Sequence, residues 1–131
     1  MIIDKENEFS DAQAITGDAS STNVLDLGAA ENIAAGHPVR LVVQVDEAFD
    51  NLTSLNVQVR EDDNVGMASP TVIAESGEIL LADLVAGYTF PLEFFPSNTE
   101  QFIDLNYDVT GTNPTTGQIS AFLVWDVQSN K

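Results

Sequence analysis

Gln101-Phe102-Ile103-Asp104-Leu105-Asn106-Tyr107-Asp108-Val109 is the stretch that decides the fold class. Ile103, Leu105, Tyr107 and Val109 alternate with Asp104, Asn106 and Asp108. Successive side chains of a β-strand point to opposite faces, so this period of two gives one buried face and one wet face. The segment Gly111-Thr112-Asn113-Pro114-Thr115-Thr116-Gly117 follows and is built of turn formers that stop a strand. Residues 118–127 then place Ile119, Ala121, Leu123, Trp125 and Val127 on one face and Ser120, Phe122, Val124 and Asp126 on the other. The second face is itself partly apolar, which predicts a strand that is central or lies in an interface. Phe122 and Val124 are its candidates for a subunit interface or for the inter-sheet core. The two runs together predict an antiparallel hairpin.

The pattern continues toward the N-terminus. Residues 40–45 and 54–60 read as strands, the latter with Leu55, Val57 and Val59 alternating with Asn56, Gln58 and Arg60. The acidic loop Asp46-Glu47-Ala48-Phe49-Asp50-Asn51 joins them, and the acidic turn Glu61-Asp62-Asp63-Asn64 ends the second. Shorter strands are predicted at 71–74 and 78–81, then a helical turn at 82–86 stopped by Gly87. Residues 88–94 read as a strand interrupted by Pro91, whose missing N–H favours an edge or a bulge. In the first third, 12–16 and 23–27 are predicted short strands around a loop at 17–21, and 29–35 one or two helical turns before Gly36. Eight or so short strands with frequent turn signals predict an all-β, jelly-roll-like antiparallel β-sandwich in a single domain spanning 1–131. Within it, residues 1–16 form either an extended N-terminal arm or an edge strand of the same domain. Ile2, Ile3 and Phe9 are apolar among acids and are the candidate contacts with a partner or neighbouring subunit in the arm reading.

A chain of 131 residues with 44% hydrophobic side chains buries roughly two thirds of its unfolded surface, enough for a core without covalent staples. Cysteine is absent, which excludes disulfides and thiolate metal sites and suits folding in a reducing cytosol. Four basic residues (Lys5, Arg40, Arg60, Lys131) face 21 acidic ones, for a net charge of −17. Phosphate recognition needs clustered cations, so neither nucleic acid nor an anionic membrane surface is an expected partner. The most apolar stretch, Ile79-Leu80-Leu81-Ala82, stops at Asp83, far short of the ~20 residues of a membrane span. The opening Met1-Ile2-Ile3-Asp4-Lys5-Glu6 lacks the apolar core of a secretion signal, so synthesis in the cytosol is expected.

Catalytic equipment is not evident. Covalent catalysis needs a nucleophile beside a base, yet the single histidine, His37, sits between Gly36 and Pro38, and no Gly-x-Ser-x-Gly elbow occurs. Carboxylate pairs of the glycosidase kind carry no information in a chain with 21 acids. Trp125 shares an apolar strand face with Leu123 and Val127, which favours packing over sugar stacking. Calcium wants several oxygens from one loop. Glu61-Asp62-Asp63-Asn64-Val65-Gly66 and the group Asp46, Glu47, Asp50 offer carboxylates, but neither has the EF-hand spacing. Turns capped by Asp and Asn are the better reading. No cofactor, no metal site and no enzymatic activity are therefore expected.

A family resemblance rests on three sets of residues. Phe9-Ser10-Asp11-Ala12-Gln13-Ala14-Ile15-Thr16 leads into Ser21-Thr22-Asn23-Val24-Leu25-Asp26-Leu27-Gly28. Asp62-Asp63-Asn64 runs into Ser69-Pro70-Thr71. Gly117-Gln118-Ile119-Ser120-Ala121-Phe122-Leu123-Val124-Trp125-Asp126-Val127-Gln128 closes the pattern. In order and spacing, the chain resembles the cement proteins of certain short-tailed bacteriophages, of the type known from a Bordetella phage. The resemblance implies a jelly-roll domain without enzymatic activity that decorates the outer capsid surface of the virion. It also implies contact with the major capsid protein, bridging of its subunits in the expanded shell, and a homo-oligomer, a dimer before a trimer. The family brings no catalytic residues to carry over, and it does not account for the marked acidity. The competing expectations are a carbohydrate-binding or tail-fibre-type β-sandwich module, which needs exposed aromatics or a calcium loop, and a small hydrolase using Asp62 and Asp63.

Overall fold

The computed structural model describes residues 8–26, 40–92 and 100–124. Among these residues nine strands form: β1 (Glu8–Ala14), β2 (Ala19–Ser20), β3 (Leu25–Asp26), β4 (Arg40–Glu47), β5 (Leu52–Asp62), β6 (Thr71–Glu75), β7 (Ile79–Leu80), β8 (Phe102–Gly111) and β9 (Gln118–Val124). A 3₁₀ turn, Leu81–Asp83, stands where a helical turn is predicted at 82–86. The predicted helical turns at 29–35 lie outside the described residues.

The strands form two antiparallel sheets. One has the order β1-β9-β4, and the free side of β4 is occupied by the bridge Gln44↔Thr89. Backbone bonds from Val45 N–H to Tyr88 (2.9 Å) and from Phe90 N–H to Val43 (2.8 Å) flank that bridge. The predicted strand at 88–94 is thus reduced, over its described part, to a short ribbon that ends at Pro91, where no N–H can continue the ladder. The second sheet has the order β2-β8-β5-β6, with β3 also on β8 and β7 also on β5. The chain crosses between the layers after β1, β3, β4 and β8, and the two antiparallel sheets pack as a β-sandwich.

This topology corrects the predicted hairpin. The alternating run at 101–109 becomes β8, which pairs with β5, while residues 118–124 become β9, paired with β1 and β4. The turn-rich segment between them crosses from one layer to the other. Periodicity identifies a strand and its wet face but not its partner. β9 is central in its sheet, as its two-sided apolar character predicts.

The core lies between the layers. Val43, Val45, Ile119 and Ala121 from one sheet meet Leu55, Val57, Val59, Ile103, Leu105 and Tyr107 from the other. All ten are buried. Tyr107 brings a hydroxyl into this apolar space, and that hydroxyl needs a partner. It finds Ser10 Oγ of β1 at 2.7 Å, a buried bond that ties the layers together. Burial pushes the Tyr107 phenol well above its ordinary pKa, partly offset by the Ser10 bond. Gln13 adds a second tie: its carboxamide oxygen accepts from Ser10 Oγ (2.7 Å) and from the N–H of Thr22 (3.0 Å).

Tyr107→Phe and Ser10→Ala are each expected to lower unfolding free energy by roughly 1 kcal/mol, the net worth of one buried hydrogen bond. The double variant is expected to lose less than the sum, because both single changes remove the same bond. Urea denaturation of the four proteins reads the coupling, and strict additivity would remove the bond from this account.

Candidate functional site

The two acidic loops singled out in the sequence sit at opposite ends of β5. At the first end, the link between β4 and β5 and the link between β8 and β9 lie side by side. The Asp50 carboxylate accepts the N–H of Thr115 (2.6 Å), the Thr115 hydroxyl, and the N–H of Thr116 (3.0 Å). Glu47 accepts the N–H of Gly117 (3.0 Å), and the Thr116 hydroxyl donates to the Ala48 carbonyl (3.0 Å). Asp46 accepts the Ser120 hydroxyl (2.5 Å). Gly117 has φ +135°, and a Cβ there would collide with the Phe49 ring. The loop chemistry thus holds two crossovers together. The bond from the Thr115 hydroxyl, followed by the Thr116 N–H, keeps the Asp50 carboxyl below its ordinary range.

At the other end, Asp62 accepts the N–H of Ser69 (2.8 Å) and of Asn64 (3.2 Å), and Asn64 Oδ1 accepts the N–H of Gly66 (2.8 Å). Glu61 accepts the N–H of Glu100 (3.2 Å). The Ser69 N–H is the main cause of a lowered Asp62 pKa. Glu61, Asp62, Asp63, Ser69, Thr71 and Glu100 line a cleft of about 270 Å³. Glu61 and Asp62 act here as acceptors for loop backbone, the role acids commonly take in turns. Among the described residues no group of three or more carboxylate or imidazole side chains is placed to hold a metal ion. His37 lies outside the described residues.

The outer face of the larger sheet is a polar ladder. Arg60 makes a two-pronged pair with Asp104 (2.9 and 2.6 Å) and reaches Ser20 Oγ (2.9 Å). Asn106 donates to Gln58 (2.9 Å) and Asn56 to Glu75 (3.0 Å). Among the described residues Asp108 has no such cation. Burial first, then the charges of Asp18 and Glu78, raise its pKa.

The candidate contact residues separate. Ile2 and Ile3 lie outside the described residues. Phe9 has no exposed surface and belongs to the core cluster, so this chain itself covers the side chain, and β1 from Glu8 onward is an edge strand of its own sheet. Phe122 faces Val42 across the strands and is only 4% exposed, yet neither belongs to the core cluster. They lie on the sheet face turned away from the core. The Val124 side chain lies outside the described set. Sequence reasoning missed the Arg60–Asp104 and Ser10–Tyr107 pairs. The signal for the first was available, since Arg60 is one of four cations and stands on the wet face of an alternating strand.

A family model, Bbp16, matches residues 9–123. The chain belongs to the Bbp16 family. The matched span runs from Phe9 in β1 to Leu123 in β9, so both sheets and both acidic loops fall within it. Among curated proteins no match is found.

The two classes of carboxyl respond to acid in opposite ways. Asp50 has a depressed folded pKa, so its stabilisation is present above the ordinary carboxylate value and is lost as pH falls below about 4. Asp50→Asn is therefore expected to be less stable than wild type at neutral pH, with the gap closing in acid. Asp108 has a raised folded pKa, so its contribution is full in acid and is lost as pH rises through that value. Asp108→Asn is expected to match or exceed wild type at neutral pH, with the advantage fading in acid. Urea midpoints across this range measure both, and parallel pH profiles for the two variants would contradict the assignments.

Proposed function

We propose that this protein is a structural virion protein that decorates and cements the outer surface of a tailed-phage capsid. In this reading it binds the major capsid protein and bridges its subunits to stabilise the expanded shell. Membership in the Bbp16 family carries the proposal, because it is consistent with a protein of Bordetella-phage type. The geometry supports adhesion. A two-layer scaffold with interlocked crossovers is stiff, and Glu47, Asp50, Glu61 and Asp62 of the acidic loops are engaged in holding backbone. A net charge of −17 keeps many copies apart in solution and away from DNA phosphates. A copy that touches two capsomers makes the second contact effectively intramolecular, so weak contacts suffice. A homodimer doubles that advantage.

Expanded capsids lacking the protein test the reading. The purified chain is expected to co-sediment with them at a fixed stoichiometry and to raise the temperature at which they open. No co-sedimentation at saturating concentration would reject the role. Deleting residues 1–7 leaves Phe9 in the core and tests the N-terminal segment separately. Reduced occupancy with an unchanged unfolding midpoint is expected, and full occupancy would discard the segment as a contact.

A further inference from the structure

β5 carries two short neighbours on the side away from β8. β6 pairs with residues 58–61 and β7 with residues 54 and 55. Residues 71–80 therefore form the rim of the larger sheet. Among the described residues, no backbone bond ties β6 or β7 to anything but β5. Ser76 N–H bonds to the Val57 carbonyl (2.9 Å), and the register pairs Ala74 with Val59 and Glu75 with Gln58. Antiparallel pairs alternate between bonded and non-bonded, so the N–H and C=O of Glu75 point outward along the rim. Such an edge is a template for another strand unless something blunts it.

The side chains of this region indicate what would come. The exposed large hydrophobics of the described residues are Val65, Val72, Leu80 and Val85. All four lie within one stretch, and Val72 (44% exposed) and Leu80 (59%) stand on the rim strands themselves. The same stretch contains Glu61, Asp62, Asp63, Glu75, Glu78 and Asp83, and no basic residue occurs between Arg60 and Lys131. The acidic cleft opens beside Thr71, where β6 begins.

We propose that the rim formed by β6 and β7 receives an extended segment of another protein that adds to it as a strand and carries Lys or Arg alternating with apolar side chains. Main-chain bonds to the rim give the affinity, and side chains at alternate positions give the selectivity. A second copy of this chain is a poor occupant, because joining two such rims sets like charges opposite one another. The shell-binding proposal names no surface, and this one is tested without a capsid, so either can fail while the other stands.

The probe is a short fluorescent peptide of alternating lysine and valine. It is expected to bind the full chain with amide shifts confined to residues 71–80 and to weaken as salt is added. A glutamate-for-lysine peptide is expected to bind about tenfold more weakly or worse, because like charges then face each other. A lysine–valine peptide N-methylated on one backbone edge is expected to lose binding. Glu75→Pro removes the outward donor and is expected to weaken binding about fivefold, roughly the worth of one hydrogen bond. Glu75→Gln keeps the donor and is expected to lose affinity only at low salt. Unchanged binding of the N-methylated peptide, or shifts mapping to another surface, would overturn the proposal even if Glu75→Pro failed to fold. A dimer in light scattering that Glu75→Pro abolishes would overturn it in favour of self-pairing.

Discussion

The pairing of β5 with β8 is the constraint on which the rest of the structure depends. Their ladder runs from Leu52↔Gly111 to Asp62↔Phe102 and supplies the centre of the larger sheet. Its inner face is Leu55, Val57, Val59, Ile103, Leu105 and Tyr107, all without exposed surface. Its outer face sets Arg60 against Asp104, Gln58 against Asn106 and Asn56 against Asp108. A slip of one residue would turn every one of these side chains to the wrong face. It would place Asp104 and Asp108 in the core and leave Arg60 without its carboxylate. Both faces therefore specify the same register. Asp104 is only 1% exposed, and a buried carboxylate without a cation is strongly unfavourable. The Arg60 fork is what allows the ladder to continue through that position.

With the ladder fixed, the sandwich requires the chain to turn back or to cross between layers at the ends of its strands. Such links leave backbone N–H groups without ladder partners, and these groups need acceptors. The acids provide them. Asp50 and Glu47 collect the N–H groups of the β8–β9 link, while Asp62 and Glu61 collect those beyond β5 and before β8. A set of acids that looks like excess charge in the composition is, at these positions, the means by which loops are held. Asp108 shows the opposite case. Its neighbours Asp18, Glu75 and Glu78 are all acidic, and the crowding is unfavourable for the fold.

The sequence revealed strands more readily than partners. The alternation in residues 101–109 and 54–60 identified β8 and β5 and their inner faces, because burial on one side of a sheet leaves a period of two. The same alternation could not show that β8 pairs with β5 rather than with β9. Sequence proximity favoured the hairpin, and only the two-layer packing rejects it. β9 illustrates the limit: its apolar second face, with Phe122, correctly indicated a central strand without indicating which sheet. β3 lies within the strand predicted at 23–27, whereas β2 falls in the predicted loop at 17–21, because a two-residue strand carries no periodicity. Their placement depends on contacts such as Ser21 N–H to the Leu105 carbonyl (2.8 Å). Phe9 looked like a docking residue because acids surround it in sequence, whereas three-dimensional packing places it in the core.

The acidity that the family resemblance left unaccounted for acquires a physical role once the rim is considered. An edge bearing Val72 and Leu80 that no described strand pairs with would ordinarily promote edge-to-edge association. Proteins commonly suppress it with charges of one sign, which repel an identical edge and attract a complementary one. Glu75 and Glu78, on the rim itself, have that effect here, reinforced by the acids of the adjoining loops. The edge is therefore closed to copies of the same chain and open to a basic strand. In the capsid-decorating role proposed for the protein, this arrangement would separate storage from attachment: repulsion dominates until a partner of opposite charge presents its backbone. The interaction that follows combines short-range hydrogen bonds with longer-range attraction, and only the second component is screened by salt.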